Sequence, residues 1–255
     1  MSGSTPPHMN DFLTKWMEGT QDIAVSNVWV YREKSGARKI VLPAIQKVVL
    51  DHLVGLRVIE RIGGFDKASA FIRNRLPVTK KMRSADFGEI LAAEYVDQLT
   101  DFYVPLKKLR HSDDRVVAMR GDDVVGLKTK NGKHRLLKIE AKSRAALATS
   151  VVAEASNSLM KHSGRPNPAS LAFLSHQLRL MGDDALAEII EEIQNSEIAE
   201  SQVEHLIFTC SGNNPSTPLK SHAASPNAKI GRALVGVVVV DHQALISSIF
   251  EALNV

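Results

Sequence analysis

Two carboxylates and an ammonium fall close together in the middle of the 255-residue sequence: Asp123, Glu140 and Lys142, within MRGDDVVGLKTKNGKHRLLKIEAKSR (119–144). Between them lies Asn131-Gly132. Asn-Gly between apolar runs is a strong hairpin signal, because a type I′ turn needs positive φ at both central residues. A two-residue loop there sets Lys130 opposite Lys133, Leu127 opposite Leu136, Val124 opposite Ile139 and Asp123 opposite Glu140. Side chains alternate along a strand, so Asp123 shares a face with Glu140 and Asp122 points to the other side. Lys142, two residues past Glu140, joins that face. Opposed residues have Cβ atoms roughly 4.5–5.5 Å apart, where like charges repel. Such a pair persists if one acid is protonated or a cation sits between the two. Oxygen donors of this kind suit Mg²⁺ or Mn²⁺. An ion held there can grip a phosphate oxygen and acidify a bound water, and Lys142 can orient that water or meet charge developing on phosphorus. The alternative is a surface hairpin with a Lys/Glu-rich face, and a bulge or longer loop would break the register.

The elements around this hairpin read as α/β. Residues 11–40 are mixed, with a strand at VWVYRE, and residues 44–75 are helical, interrupted at Gly63-Gly64. LPVTKKMR (76–83) reads as a connector. A helix over SADFGEILAAEYVDQL (84–99) has one apolar face formed by Ile90, Leu91, Tyr95 and Leu99. Strands are expected at 103–109, 115–119, 124–129 and 135–141, then helices near 145–162, 170–182 and 184–195. The chain closes with strand 204–210, a loop at 211–228, strand 232–240 and helix 242–253. The order predicts a mixed central sheet flanked by helices. The implied division is a flexible tail (1–10), a mainly helical N-terminal region (11–83) and an α/β domain (84–255).

Composition is that of an ordinary globular protein, with 44% hydrophobic and 24% charged residues. No apolar run reaches membrane-span length and the N-terminus has no signal-peptide core, so no membrane association is expected. A single cysteine, Cys210, fits a reducing cytoplasm. Charge is unevenly spread. Residues 107–144 hold twelve Lys/Arg against five acids, whereas 183–204 hold eight acids and no Lys or Arg. The basic block suggests a polyanion, DNA foremost, with Lys107, Lys108, Arg110 and Arg144 as candidate contacts. Charge runs also commonly form nothing more than a solvated face. The nine histidines lack zinc-site spacing, and no G-x-S-x-G elbow supports serine hydrolysis.

Asp123 on one strand and Glu140-Ala141-Lys142 on the next resemble the PD-(D/E)xK nuclease superfamily, across roughly residues 84–240. Gly121-Asp122-Asp123 stands in place of that motif's Pro-Asp. The resemblance implies a restriction-endonuclease-like fold and Mg²⁺-dependent phosphodiester hydrolysis. It also implies a role for an acid on the preceding helix, here Glu89. Asp123, Glu140 and Glu89 would be metal ligands, with Lys142 completing the catalytic set. Asp86-x-x-Glu89 also reads as a helix capping box. Within the superfamily, FGEILAAEYV, VPLKKLRHSDDRVVAMRGDDVVGL and LLKIEAKSR are similar to the nuclease subunit of Hachiman-type anti-phage defence. That likeness implies a superfamily-2 helicase partner. The sequence itself has no G-x-x-x-x-G-K-[ST] loop to drive unwinding. The alternative function is a non-catalytic nucleic-acid-binding or helicase-regulating subunit with an idle nuclease fold.

Overall fold

The computed structural model describes residues 11–112 and 121–254, so the tail at 1–10 and the expected strand at 115–119 lie outside the described residues. The chain opens with α1 (Phe12–Trp16), β1 (Met17–Gln21), β2 (Val28–Glu33), α2 (Ala37–Leu53), α3 (Leu56–Arg61), α4 (Phe65–Arg75) and α5 (Lys80–Leu99). The hairpin follows as β3 (Val124–Lys130) and β4 (Lys133–Arg144). The rest comprises α6 (Thr149–Met160), α7 (Pro168–Leu180), α8 (Asp184–Asn195), β5 (Val203–Ser211), α9 (Ser216–Lys220), β6 (Gly231–Val238) and α10 (His242–Ala252).

The described strands form one mixed sheet in the order β1-β2-β6-β5-β4-β3. β4, β5, β6 and β2 run parallel to their neighbours, and each edge is closed by an antiparallel pair, β1 with β2 and β3 with β4. The expected α/β class with a mixed sheet is thus the observed one. Parallel strands covered on both faces need side chains that are apolar on both sides. That accounts for the apolar stretches Leu206–Phe208 of β5 and Ala233–Val238 of β6, whose residues are mostly buried. One face carries α1, α2, α5 and α10 over a continuous core that includes Trp16, Phe87, Phe208 and Phe250. The other carries α6 and α9 in one cluster, and α7 and α8 over Leu127 and Leu136 in another.

Residues 11–83 are mainly helical but are not appended to this sheet. β2 pairs with β6 from Val28↔Leu234 to Arg32↔Val238, and β1 forms the edge beyond it. Buried Trp16 donates from Nε1 to Glu33 at 2.8 Å, and the Asn27 amide bonds the carbonyls of Ala223 and Arg232. The buried residues of α2, Val41, Ile45, Val48, Val49, His52 and Leu53 among them, follow helical spacing, but no local pattern could reveal that VWVYRE pairs with a strand two hundred residues away.

Three further expectations change. Residues 103–109 make an isolated bridge, Tyr103↔Leu127, and then a 3₁₀ turn at Lys108–His111. Pro105 lies between the two and has no N–H to donate to a ladder. The connector at 76–83 is shorter than expected, since α5 starts at Lys80 with Thr79 accepting from Met82 N at 3.2 Å. Asp86 and Glu89 therefore lie in the helix interior, and the capping-box reading is replaced by an acidic i, i+3 pair on one helix face. The loop at 211–228 contains the short α9. Among the described residues, no helix is long and apolar enough to cross a membrane.

If β2 is integral to the sheet, a fragment of residues 84–255 exposes the whole edge of β6 and half the α2–α5–α10 core. It should show no cooperative thermal transition by circular dichroism. A sharp melt close to that of the full chain would restore the two-region division.

Candidate functional site

The hairpin has the register its turn dictates. Lys130 pairs with Lys133, Leu127 with Leu136 and Val124 with Ile139. Asn131 and Gly132 both adopt positive φ, 52° and 71°. Asp123 is the residue just before β3, so it stands next to Glu140. β4 runs on to Arg144 past the start of β3, and among the described residues it pairs there with β5 on its other side. Its outer N–H groups need another acceptor, and Asp123 supplies one: Oδ2 accepts from Ala141 N at 2.8 Å. The aspartate is therefore both a member of the site and the acceptor for a β4 N–H just beyond the end of the β3 ladder.

The neighbouring Asp122 has a different task. Its Oδ2 accepts from Asn167 N at 2.6 Å and its own N–H donates to Ser170 Oγ at 2.9 Å, fixing the start of α7. Buried Lys138 stands 3.6 Å from Asp122 Oδ1 and donates to the carbonyls of Lys161 and Arg165 at 2.9 Å each.

Glu140 and Lys142 lie on one face of β4, joined at 2.7 Å between Oε1 and Nζ. Arg144 follows two residues on, half-buried, its Nη1 donating to Ser143 O. α5 packs on the opposite face of the hairpin, with Phe87, Ile90 and Leu91 sharing a core with Val124 and Ile139. The helix comes close because Gly88 has no side chain; a Cβ there would fall 2.9 Å from Ser143 Cβ. Glu89 reaches the acidic group around the sheet edge, where β3 has not yet begun. It lines a cavity of about 140 Å³ together with Lys108, Asp122 and Asp123.

The electrostatics of the group follow from burial. Glu89 is pushed up to about 8, first by burial and then by the charges of Asp123, Asp86 and Glu140, with Lys108 opposing. Burial likewise raises Asp86 to about 7, against the pull of Lys108. Asp123 is raised by burial, although its bond from Ala141 N and the charges of Lys108 and Lys142 work against this. Glu140 is raised by burial and by Asp123, while Lys142 holds it down. Burial thus raises all four carboxylates, lysines oppose the charge of each, and Glu89 Oε2 is buried with no hydrogen-bond partner among the described residues. Asp86 was missed as a member of this group. Its signal was present as i, i+3 spacing from Glu89, but it was masked by placing the helix start four residues late.

Oxygen-only donors and an orphaned carboxylate oxygen suit a hard divalent cation. In the arrangement described, however, no three His, Cys, Asp or Glu side chains form a ready-made metal cage among the described residues. Ammonium groups attend the carboxylates instead: Lys142 on Glu140, and Lys108 at 3.8 Å from Glu89 Oε2.

The expected phosphate contacts are largely turned inward. Lys107 Nζ bonds Asp51 Oδ2 at 2.7 Å and lies 3.6 Å from Glu94. Arg110 donates to the Asp51 carbonyl from Nε and Nη2 and meets Oδ1 at 3.1 Å. Behind them, buried His52 bonds Glu94 at 2.8 Å, and burial holds the imidazole below its usual pKa. These residues clamp the 3₁₀ turn to the end of α2. Acidic replacements of Lys107 and Arg110 would break that clamp whatever nucleic acid does. Lys130 and Lys133 at the hairpin tip are exposed, and Arg144 shares the face of Glu140.

The HamA family profile matches residues 26–253, nearly the whole chain. The chain belongs to the HamA family. It is 27% identical over 176 residues to the Hachiman protein HamA of Bacillus cereus, an alignment that covers 69% of this chain. The alignment spans 62% of that relative, under two thirds of its length. The matched region contains all four carboxylates and both lysines of the site.

The raised acids make a pH prediction. The folded pKa of Glu89 lies above its ordinary value of 4.5, so the folded state prefers the proton. The associated stability is complete below about 4.5 and is lost as pH rises toward 8. Glu89→Gln mimics the protonated acid. In metal-free buffer the melting temperatures of wild type and variant should be similar at pH 5, with the variant increasingly ahead up to pH 8. A constant gap across that range would show that Glu89 is not held protonated.

Proposed function

We propose that this HamA-family chain is a metal-dependent nuclease that hydrolyses nucleic-acid phosphodiester bonds, with DNA the favoured substrate, in anti-phage defence. One observation carries the chemistry. Asp123, Glu140, Glu89 and Asp86 crowd one end of a hairpin with Lys142 2.7 Å from Glu140, although like charges there cost stability. A purely structural hairpin gains nothing from that crowding. Asp123, Glu140 and Glu89 are the proposed ligands of Mg²⁺ or Mn²⁺, which would act as a Lewis acid on the phosphate and acidify a water. Lys142, already beside Glu140, can hold the attacking water or meet charge growing on the phosphoryl oxygens. Arg144 on the same face, with Lys130 and Lys133 at the tip, offers positive charge to a phosphate backbone.

Support for the defence role comes from family membership and from the Hachiman name of the relative. The helicase partner is part of the same proposal, because the chain has no phosphate-binding loop of its own for ATP-driven unwinding. One observation favours the second reading, a non-catalytic subunit that binds nucleic acid or regulates a helicase: lysines rather than open coordination sites face Glu140 and Glu89.

Cleavage separates the two. With Mg²⁺ and any helicase partner present, Glu140→Ala and Lys142→Ala should each reduce DNA degradation by roughly a hundredfold or more, and EDTA should silence the wild type. Folding should survive, since removing one of two crowded carboxylates relieves repulsion. Equal degradation by wild type and both variants would exclude these residues from the chemistry.

A further inference from the structure

We propose that the Lys108 ammonium is a built-in counter-ion of the acidic centre, one that a divalent cation must displace to enter. The inference rests on the metal reading above and deepens it. Lys108 Nζ lies 3.8 Å from Glu89 Oε2 and donates to the Asp122 carbonyl at 2.8 Å. The contact to Glu89 is too long for a hydrogen bond, which leaves the buried Oε2 unpartnered. The ammonium is thus placed by charge without being locked to the carboxylate. Its field reaches Asp86, Glu89 and Asp123 alike, so no other lysine serves as many of these acids. Both partners are mostly buried, with side chains 16% and 17% exposed, so water screens them poorly.

The position is held from outside the site. Lys108 begins the 3₁₀ turn Lys108–His111, and its neighbours Lys107 and Arg110 fasten that turn to Asp51 at the end of α2. The backbone therefore delivers the ammonium to the carboxylates. This lets Asp86, Glu89 and Asp123 share one site. It also predicts that Lys108 and a metal ion exclude each other, because both draw on the same carboxylate charge. Lys108 is in this sense a positioning residue: it keeps the acids in place until the ion arrives.

The test is Mn²⁺ affinity of the full chain, measured by calorimetry and by loss of the free-ion paramagnetic resonance signal. Lys108→Gln, one atom shorter, keeps an N–H donor but removes the charge. It should bind Mn²⁺ tighter than wild type by roughly tenfold, since an ammonium this close to a poorly screened carboxylate opposes the ion at least that strongly. Lys39→Gln, with the same change in net charge at an exposed position of α2, should bind as wild type does. Affinity of Lys108→Gln equal to or below that of wild type would overturn the proposal. A second measurement uses the wild type alone: trace acetylation of lysines followed by mass spectrometry. Lys108 should become more reactive when Mn²⁺ is added, and unchanged reactivity under saturating metal would overturn the proposal independently of how the variant folds. Glu140→Gln keeps the two readings apart. If Mn²⁺ binds wild type and Lys108→Gln equally and Glu140→Gln abolishes it, the metal reading stands and only the counter-ion fails. If Mn²⁺ binds none of them, the metal reading fails and the proposal fails with it.

Discussion

Carboxylates buried side by side cannot all be charged without cations among them, and this constraint shapes the end of the β3–β4 hairpin. Moving one carboxylate from water into a protein interior is costly, and each further acid adds repulsion to the cost. Four acids meet the constraint here by three routes. Some take up protons readily, since burial raises Asp86 to about 7 and Glu89 to about 8. Some have ammonium neighbours, Lys142 for Glu140 and Lys108 for Glu89. Asp123 spends one oxygen on the Ala141 N–H, just beyond the end of the β3–β4 ladder.

The rest of the fold delivers those groups to one place. The turn at Asn131-Gly132 sets the register that puts Asp123 beside Glu140. Gly88 lets α5 pack close enough to bring Glu89 and Asp86 around the sheet edge. The Asp51 clamp sets the 3₁₀ turn that carries Lys108, and Asp122 ties the hairpin to α7. The N-terminal strands close the far edge of the same sheet, and α2, also from that region, provides the anchor for the turn at the site.

Local chemistry was readable in the sequence wherever it depended on local geometry. An Asn-Gly turn fixes a register, and a register fixes which aspartate faces Glu140, so the hairpin could be worked out residue by residue. The apolar runs of β5 and β6 marked buried strands for the same reason. What could not be read depended on contacts distant in sequence. Lys107 and Arg110 look like part of a basic surface until Asp51 is found beside them. Asp86 looks like a cap until Thr79 is seen to hold that position seven residues earlier. VWVYRE carries no mark of its parallel partner β6. Charge along a sequence shows which residues are ionic, and only the fold shows which ion each one faces.

The most direct test of the account is where a metal goes. Crystals of the full chain soaked in Mn²⁺ and measured near the manganese absorption edge should give an anomalous peak among Asp123, Glu140 and Glu89, with the Lys108 ammonium moved away from Glu89. A map with no peak there, and with Lys108 and Lys142 still on their carboxylates at saturating Mn²⁺, would contradict the claim that this acidic cluster is a metal centre.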